Sequence, residues 1–137
     1  MKCLDTTFLI DIVESPEDVR TISEQLEGRG EVLATTAFNA YEALLGVQSV
    51  RDRTDRTKLL DLYAKVLARL IVLPMSLEDA AKAAELGGEL RRKGAEVGAD
   101  SLTAAIAMRS GSDGIVTRNV AHFERLKELS GMDVISY

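Results

Sequence analysis

Among the oxygen-bearing side chains that divalent-cation chemistry uses, Asp5, Glu42, Asp100 and Asn119 are the ones whose positions could bring them together. On an alternating strand–helix reading, Asp5 and Asn119 fall just after strand ends. Glu42 does so less directly, and Asp100 opens a helix that must return to the same edge. Three carboxylates and one carboxamide then share a rim. Clustered carboxylates repel one another, and the arrangement is tolerable only if some stay protonated or a hard cation such as Mg²⁺ or Mn²⁺ lies between them. An all-oxygen set without paired Cys or His argues against zinc. Taken singly, each acid reads as a helix cap or a first-turn charge. Only the joint placement suggests chemistry.

The elements that must position these residues follow from periodicity and punctuation. Lys2-Cys3-Leu4 reads as a short strand, and Asp5-Thr6-Thr7 can cap the helix suggested by Phe8, Leu9, Ile10 and Val13. Ser15-Pro16 starts a second helix that Gly28 and Gly30 stop. Glu31 to Ala34 is a candidate second strand. Thr35-Thr36 closes it and opens a helix carrying Phe38, Tyr41, Leu44 and Leu45, with Glu42 one turn in. The polar stretch Arg51 to Arg56 reads as a helix end and turn before a helix through Leu59, Tyr63 and Leu67. Leu70 to Leu73, ended by Pro74, fits a buried strand, and Ser76-Leu77-Glu78-Asp79 caps a long helix through about Lys93. Asp100 opens an Ala-rich helix between Gly98 and Gly111. Gly114 to Thr117 is strand-like, Asn119 caps a last helix, and Val134-Ile135 ends the series. Strands alternating with helices predict an α/β protein, a three-layer α/β/α sandwich with a mainly parallel central sheet.

Length and composition bound the alternatives. A chain of 137 residues, 46% hydrophobic and 28% charged, suits one compact domain over residues 1–137 and is too rich in core-forming residues to stay disordered. No apolar run reaches the roughly 18 residues of a membrane span and no secretory signal is visible, so a cytoplasmic protein without a membrane partner is expected. Cys3 is the single cysteine; a buried, inert thiol is expected there. The net charge of −5 gives no general attraction to nucleic acid, so any such contact must rest on local basic groups or on a bound cation.

The segments Leu4-Asp5-Thr6-Thr7-Phe8-Leu9-Ile10-Asp11, Thr35-Thr36-Ala37-Phe38-Asn39-Ala40-Tyr41-Glu42, Asp100-Ser101-Leu102-Thr103-Ala104-Ala105-Ile106-Ala107 and Val116-Thr117-Arg118-Asn119-Val120-Ala121-His122-Phe123 together resemble the PIN-domain family, in its order and nearly end to end. More narrowly they look like VapC-type toxins of toxin–antitoxin pairs. The resemblance implies a metal-dependent ribonuclease in which Asp5 and Asp100 ligate Mg²⁺ or Mn²⁺ directly, Glu42 completes the acidic centre, and a hydroxyl near Thr6 or Thr7 serves the site. Asn119 stands where many members carry a fourth acid, which puts a tightly held second metal in doubt.

In that mechanism the cation acidifies a water and stabilises charge at the phosphorus, Glu42 orients or deprotonates the water, and the products are a 5′-phosphate and a 3′-hydroxyl. Thr6, Thr117 and Arg118 are the substrate-side residues. His122, the single histidine, reads more readily as a packing or capping residue than as a base. The resemblance further implies an RNA substrate, a cognate antitoxin protein and a homodimer. A housekeeping RNA-processing nuclease remains an alternative, as does a catalytically silent fold that only binds. An aspartyl phosphatase is disfavoured because Thr7 stands where its second Asp would be.

Overall fold

The computed structural model describes residues 1–137 as five strands and seven helices in the order β1 (Lys2–Leu4), α1 (Thr6–Glu14), α2 (Pro16–Gly28), β2 (Leu33–Thr36), α3 (Ala37–Gln48), α4 (Arg53–Leu67), β3 (Ile71–Leu73), α5 (Leu77–Arg92), α6 (Asp100–Arg109), β4 (Gly114–Val116), α7 (Val120–Ser130) and β5 (Asp133–Ile135). All strand pairings are parallel, and the sheet order is β3-β2-β1-β4-β5. The expected sandwich is therefore present, with a sheet that is wholly rather than mainly parallel.

Alternation along the short central strands assigns the two faces. Cys3 and Ile115 face α5, α6 and α7, in a core with Leu86, Leu90, Ala104, Phe123 and Leu126. Leu4 and Val116 face the other way, onto Phe8 of α1 and Val19 and Leu26 of α2. Helices α3 and α4 extend that second layer by packing Ala43, Val47 and Tyr63 on Leu9. Burial pushes the Cys3 thiol up to about 12, as an inert core cysteine requires.

Four sequence expectations need correction. β2 runs Leu33–Thr36 rather than from Glu31 to Ala34, because its register is set by pairing, Leu4 opposite Thr35 and Leu33 opposite Lys2. α4 starts at Arg53, inside the stretch read as a turn, because the Asp52 side chain accepts from the Asp55 amide and caps it. β3 is an edge strand whose Ile71 and Val72 are exposed while Leu73 packs with Ala34 and Ile106, so its apolar run is buried at one end only. Asp5, Ser15 and Asn119 stand at the N-caps of α1, α2 and α7, yet none makes a side-chain cap hydrogen bond. For Asp5 and Asn119 the side chains have other partners.

Candidate functional site

β1 and β4 register Leu4 against Val116, and β1 and β2 register Leu4 against Thr35. The residues just beyond, Asp5, Thr36 and Thr117, therefore meet at the carboxyl edge of the sheet, where ligands of parallel sheets lie. Asp5 is 2% exposed. Its Oδ2 accepts from the Thr117 hydroxyl at 2.8 Å and from the Thr7 hydroxyl at 3.3 Å, and its Oδ1 accepts from the Asn39 amide at 3.3 Å. Burial pushes the Asp5 carboxyl above its usual range, against the pull of the Thr117 hydroxyl and of the Thr6 and Thr7 donors.

Glu42 reaches this edge from α3, where its Oε1 accepts from the Thr6 hydroxyl at 2.7 Å. Asn39, one turn earlier and fully buried, donates to Thr6 and to Thr103 of α6 at 2.9 Å each, while its carbonyl accepts from the Thr36 hydroxyl. One buried amide thus ties α3 to α1 and to α6. Asp100 arrives at the start of α6, two residues after Gly98, whose φ of +50° makes the left-handed turn into the helix. Its Oδ2 accepts from the Asn119 amide and lies beside His122 Nδ1, both at 2.7 Å. Burial pushes the Asp100 carboxyl up, the His122 hydrogen bond pulls it down, and the charges of Asp5 and Glu42 push it up again.

The four sequence-nominated residues are therefore brought into one network. Thr6 and Thr117 lie in it as supports: Thr117 is fully buried, with its hydroxyl donating to Asp5 and accepting from the Asn119 amide N–H. Its hydroxyl is engaged by these two partners within the protein. Arg118 stands at the rim, its Nη2 donating to Asp11 at 2.9 Å. Asn39, Thr103 and His122 are participants that periodicity did not mark. A signal for Asn39 existed in its position three residues after the capping Thr36, and for His122 in its position three residues after Asn119.

A cation fits this set by charge and by donor type. No Lys or Arg pairs with Asp5, Glu42 or Asp100, and the one ionisable partner is His122. Three carboxylates therefore share a rim without a compensating cation, and Asp100 Oδ1 and Glu42 Oε2 carry no hydrogen bond within the protein. No three Asp, Glu, His or Cys side chains converge tightly enough to enclose an ion by themselves. An ion held here would take only one or two of these carboxylates directly and would draw the rest of its coordination from water.

The sequence matches the PIN domain over residues 2–129. The chain belongs to the PIN-domain family. Ribonuclease activity is the general function of that family. Solved structures agree with this PIN fold across almost the whole chain. VapBC2 from Rickettsia felis, bound to a DNA fragment from its promoter, aligns with a TM-score of 0.80 at 22% identity, covering 99% of this chain and 98% of that one. DNA-bound VapBC from Salmonella typhimurium gives 0.80 at 23%, covering 98% and 96%. FitAcB from Neisseria gonorrhoeae gives 0.75 at 23%, with the same coverage of 98% and 96%. A comparison with curated proteins returned no match.

Proposed function

We propose that this PIN domain is a divalent-metal-dependent ribonuclease and the toxin of a VapBC-type toxin–antitoxin pair. The observation that carries the proposal is the uncompensated trio Asp5, Glu42 and Asp100 at the carboxyl edge of a PIN sheet. Asp5 and Asp100 would hold Mg²⁺ or Mn²⁺, their raised carboxyls being the groups that gain most from a neighbouring positive charge. The ion would supply Lewis acidity toward the phosphate and a more acidic water.

The protein's own groups do the rest. Thr117 and Thr7 keep the Asp5 carboxylate oriented, and Asn119 with His122 holds Asp100 by one oxygen and leaves the other free. Glu42, anchored by the Thr6 hydroxyl, orients the attacking water and takes its proton. Water attack opposite the 3′ oxygen leaves a 5′-phosphate and a 3′-hydroxyl.

Two partners belong to this reading. A cognate antitoxin is supported by the relatives, which are solved as VapBC, FitAB and other toxin–antitoxin complexes. A homodimer is supported by an apolar depression of about 480 Å³ between α3 and β3, lined by Tyr41, Leu44, Leu45 and Val72, three of them exposed. No helix is long and apolar enough to cross a membrane.

The test is cleavage of a panel of structured RNAs by purified protein in EDTA, Mg²⁺ and Mn²⁺. Activity restored by either metal is expected; full activity in chelator would sink the metal mechanism. Co-expression with a small gene lying beside this one should yield a stable, inactive complex. Cells that tolerate the protein alone at high level would favour a housekeeping nuclease instead.

A further inference from the structure

Asp11 is a buried carboxylate that the acidic centre does not use. It lies on α1, its side chain is 4% exposed, and its single cation is Arg118, which lies just beyond β4 and is 54% exposed. Asp11 Oδ1 accepts from Arg118 Nη2 at 2.9 Å, and Oδ2 accepts from the Tyr137 hydroxyl at 2.7 Å. Tyr137 is held in turn by an edge-to-face contact with Phe8, centroids 4.9 Å apart. At its other end Arg118 donates its backbone N–H to the Thr7 hydroxyl at 3.1 Å, the same hydroxyl that donates to Asp5 Oδ2. Arg118 is thus held at its main chain by Thr7 and at its guanidinium by Asp11, one contact away from the acidic centre.

A guanidinium has five N–H donors, and here one nitrogen is occupied while Nε and Nη1 stay free at a solvent-facing position. Fixing a flexible Arg in advance removes the entropy cost of ordering it on a ligand, and the planar fork suits a phosphate. The chain has net charge −5 and its centre is acidic, so an RNA backbone gains nothing from the protein at long range and needs a local cation at the rim.

Resting on the ribonuclease reading, we infer that Arg118 binds an RNA phosphate flanking the scissile bond, and that Asp11 and Tyr137 are positioning residues that hold its guanidinium for that contact. Asp11 then works against its own charge: a carboxylate beside the path of the RNA improves RNA binding because it orders the arginine.

The test measures steady-state cleavage of a single-stranded RNA with Mg²⁺, and binding of the same fluorescein-labelled RNA by anisotropy in EDTA, across a salt series. Arg118→Gln should raise KM or Kd about tenfold, the loss of one charge-assisted contact, with kcat within about twofold. The slope of log affinity against log salt should fall by about 0.7, as for one single-strand phosphate. Arg118→Lys should recover part of the affinity and the salt slope.

Asp11→Asn makes the protein less acidic, so simple electrostatics predicts tighter binding; positioning predicts weaker binding, by about threefold from the freed rotamers. Tyr137→Phe keeps the contact with Phe8 and should weaken binding in the same direction, which covers the case where Asp11→Asn does not fold. In an Arg118→Gln background neither change should shift KM or Kd further. Parental KM, Kd and salt slope in Arg118→Gln overturn the proposal while leaving a parent that cuts RNA as a ribonuclease. Tighter binding by Asp11→Asn, or effects of Asp11 and Tyr137 that persist without Arg118, overturn the positioning roles. A parent that neither cuts nor binds RNA in any metal sinks the ribonuclease reading and this inference with it.

Discussion

Asp100 is where function and stability pull in opposite directions. It is partly buried, its carboxyl is raised by desolvation and by Asp5 and Glu42, and its oxygens meet one amide and one imidazole but no permanent cation. Asp100→Asn keeps size and can still accept a hydrogen bond, while it removes one of three mutually repelling charges. RNA cleavage should fall by at least about a hundredfold, the usual scale for losing electrostatic stabilisation of a transition state. In EDTA, however, thermal melts should place the variant level with the parent or above it. Adding Mg²⁺ should raise the parent's melting temperature, because the ion binds the folded state alone, and the variant's much less. A variant that melts clearly lower in EDTA, or cuts at the parental rate, would make Asp100 a structural cap. Glu42→Gln makes a separate claim. The Thr6 hydroxyl can still donate to the amide oxygen, so folding should survive while kcat drops, and a stopped assay at matched protein stability reads that loss.

Helices set the site's geometry through a second, purely structural acid. Asp79 closes a capping box with Ser76 at the start of α5 and accepts from Arg109 Nε at 2.6 Å and Nη2 at 2.9 Å, at the end of α6. The same arginine donates to the Pro74 carbonyl. This clamp fixes the far end of the helix whose first residue is Asp100. The Arg109 guanidinium holds the Asp79 carboxyl below its usual range. A lowered folded-state value means stability that is present above the ordinary carboxylate pKa of about 3.9 and is lost as pH falls through the lowered value. Arg109→Gln should therefore lower the urea midpoint near neutral pH, since it strips the buried Asp79 carboxylate of its charged partner. The difference from the parent should shrink as pH drops below about 4, where the unfolded chain's Asp79 takes up its proton while the folded parent's is still ionised. Urea titrations of both proteins between pH 3 and 7 read this, and a pH-independent difference would refute the ionic account.

At the scale of the whole molecule, the sheet presents two different ends and two different edges. The carboxyl edge carries the acids, while β3 leaves Ile71 and Val72 exposed beside Tyr41 and Leu45 of α3. An exposed edge strand flanked by large apolar side chains invites association unless something covers it. If a second copy covers it, Tyr41→Glu or Leu45→Glu should convert dimer to monomer in sedimentation. Melting of a dilute monomer should change little, since surface substitutions usually lie within about 0.5 kcal/mol. A parent that sediments as a monomer at high concentration would remove the homodimer from the proposed function.

The alternating order of elements and the placement of the four rim residues just past strand ends or near helix starts were legible in the sequence, because each rests on a local cause. Period-2 and period-3.6 apolar patterns, Gly and Pro punctuation, and acids just past strand ends are all written within a few residues of one another. What the side chains of those residues do was not legible. Asp5 and Asn119 look like N-caps in sequence, and both stand at caps, yet their polar atoms turn to Thr117 and Asp100, separated from them by 112 and 19 residues. The apolar run at β3 looks the same whether it is buried or at an edge, since burial depends on which strand lies outside it. Asn39, His122 and the Asp11–Arg118–Tyr137 chain are meetings between elements, and no periodicity within one element can announce them. Local spacing decides which backbone a segment adopts, but a polar side chain near a helix start has several partners of similar strength. Only the packed neighbours, by burying it at the cost of its water, decide which one it keeps.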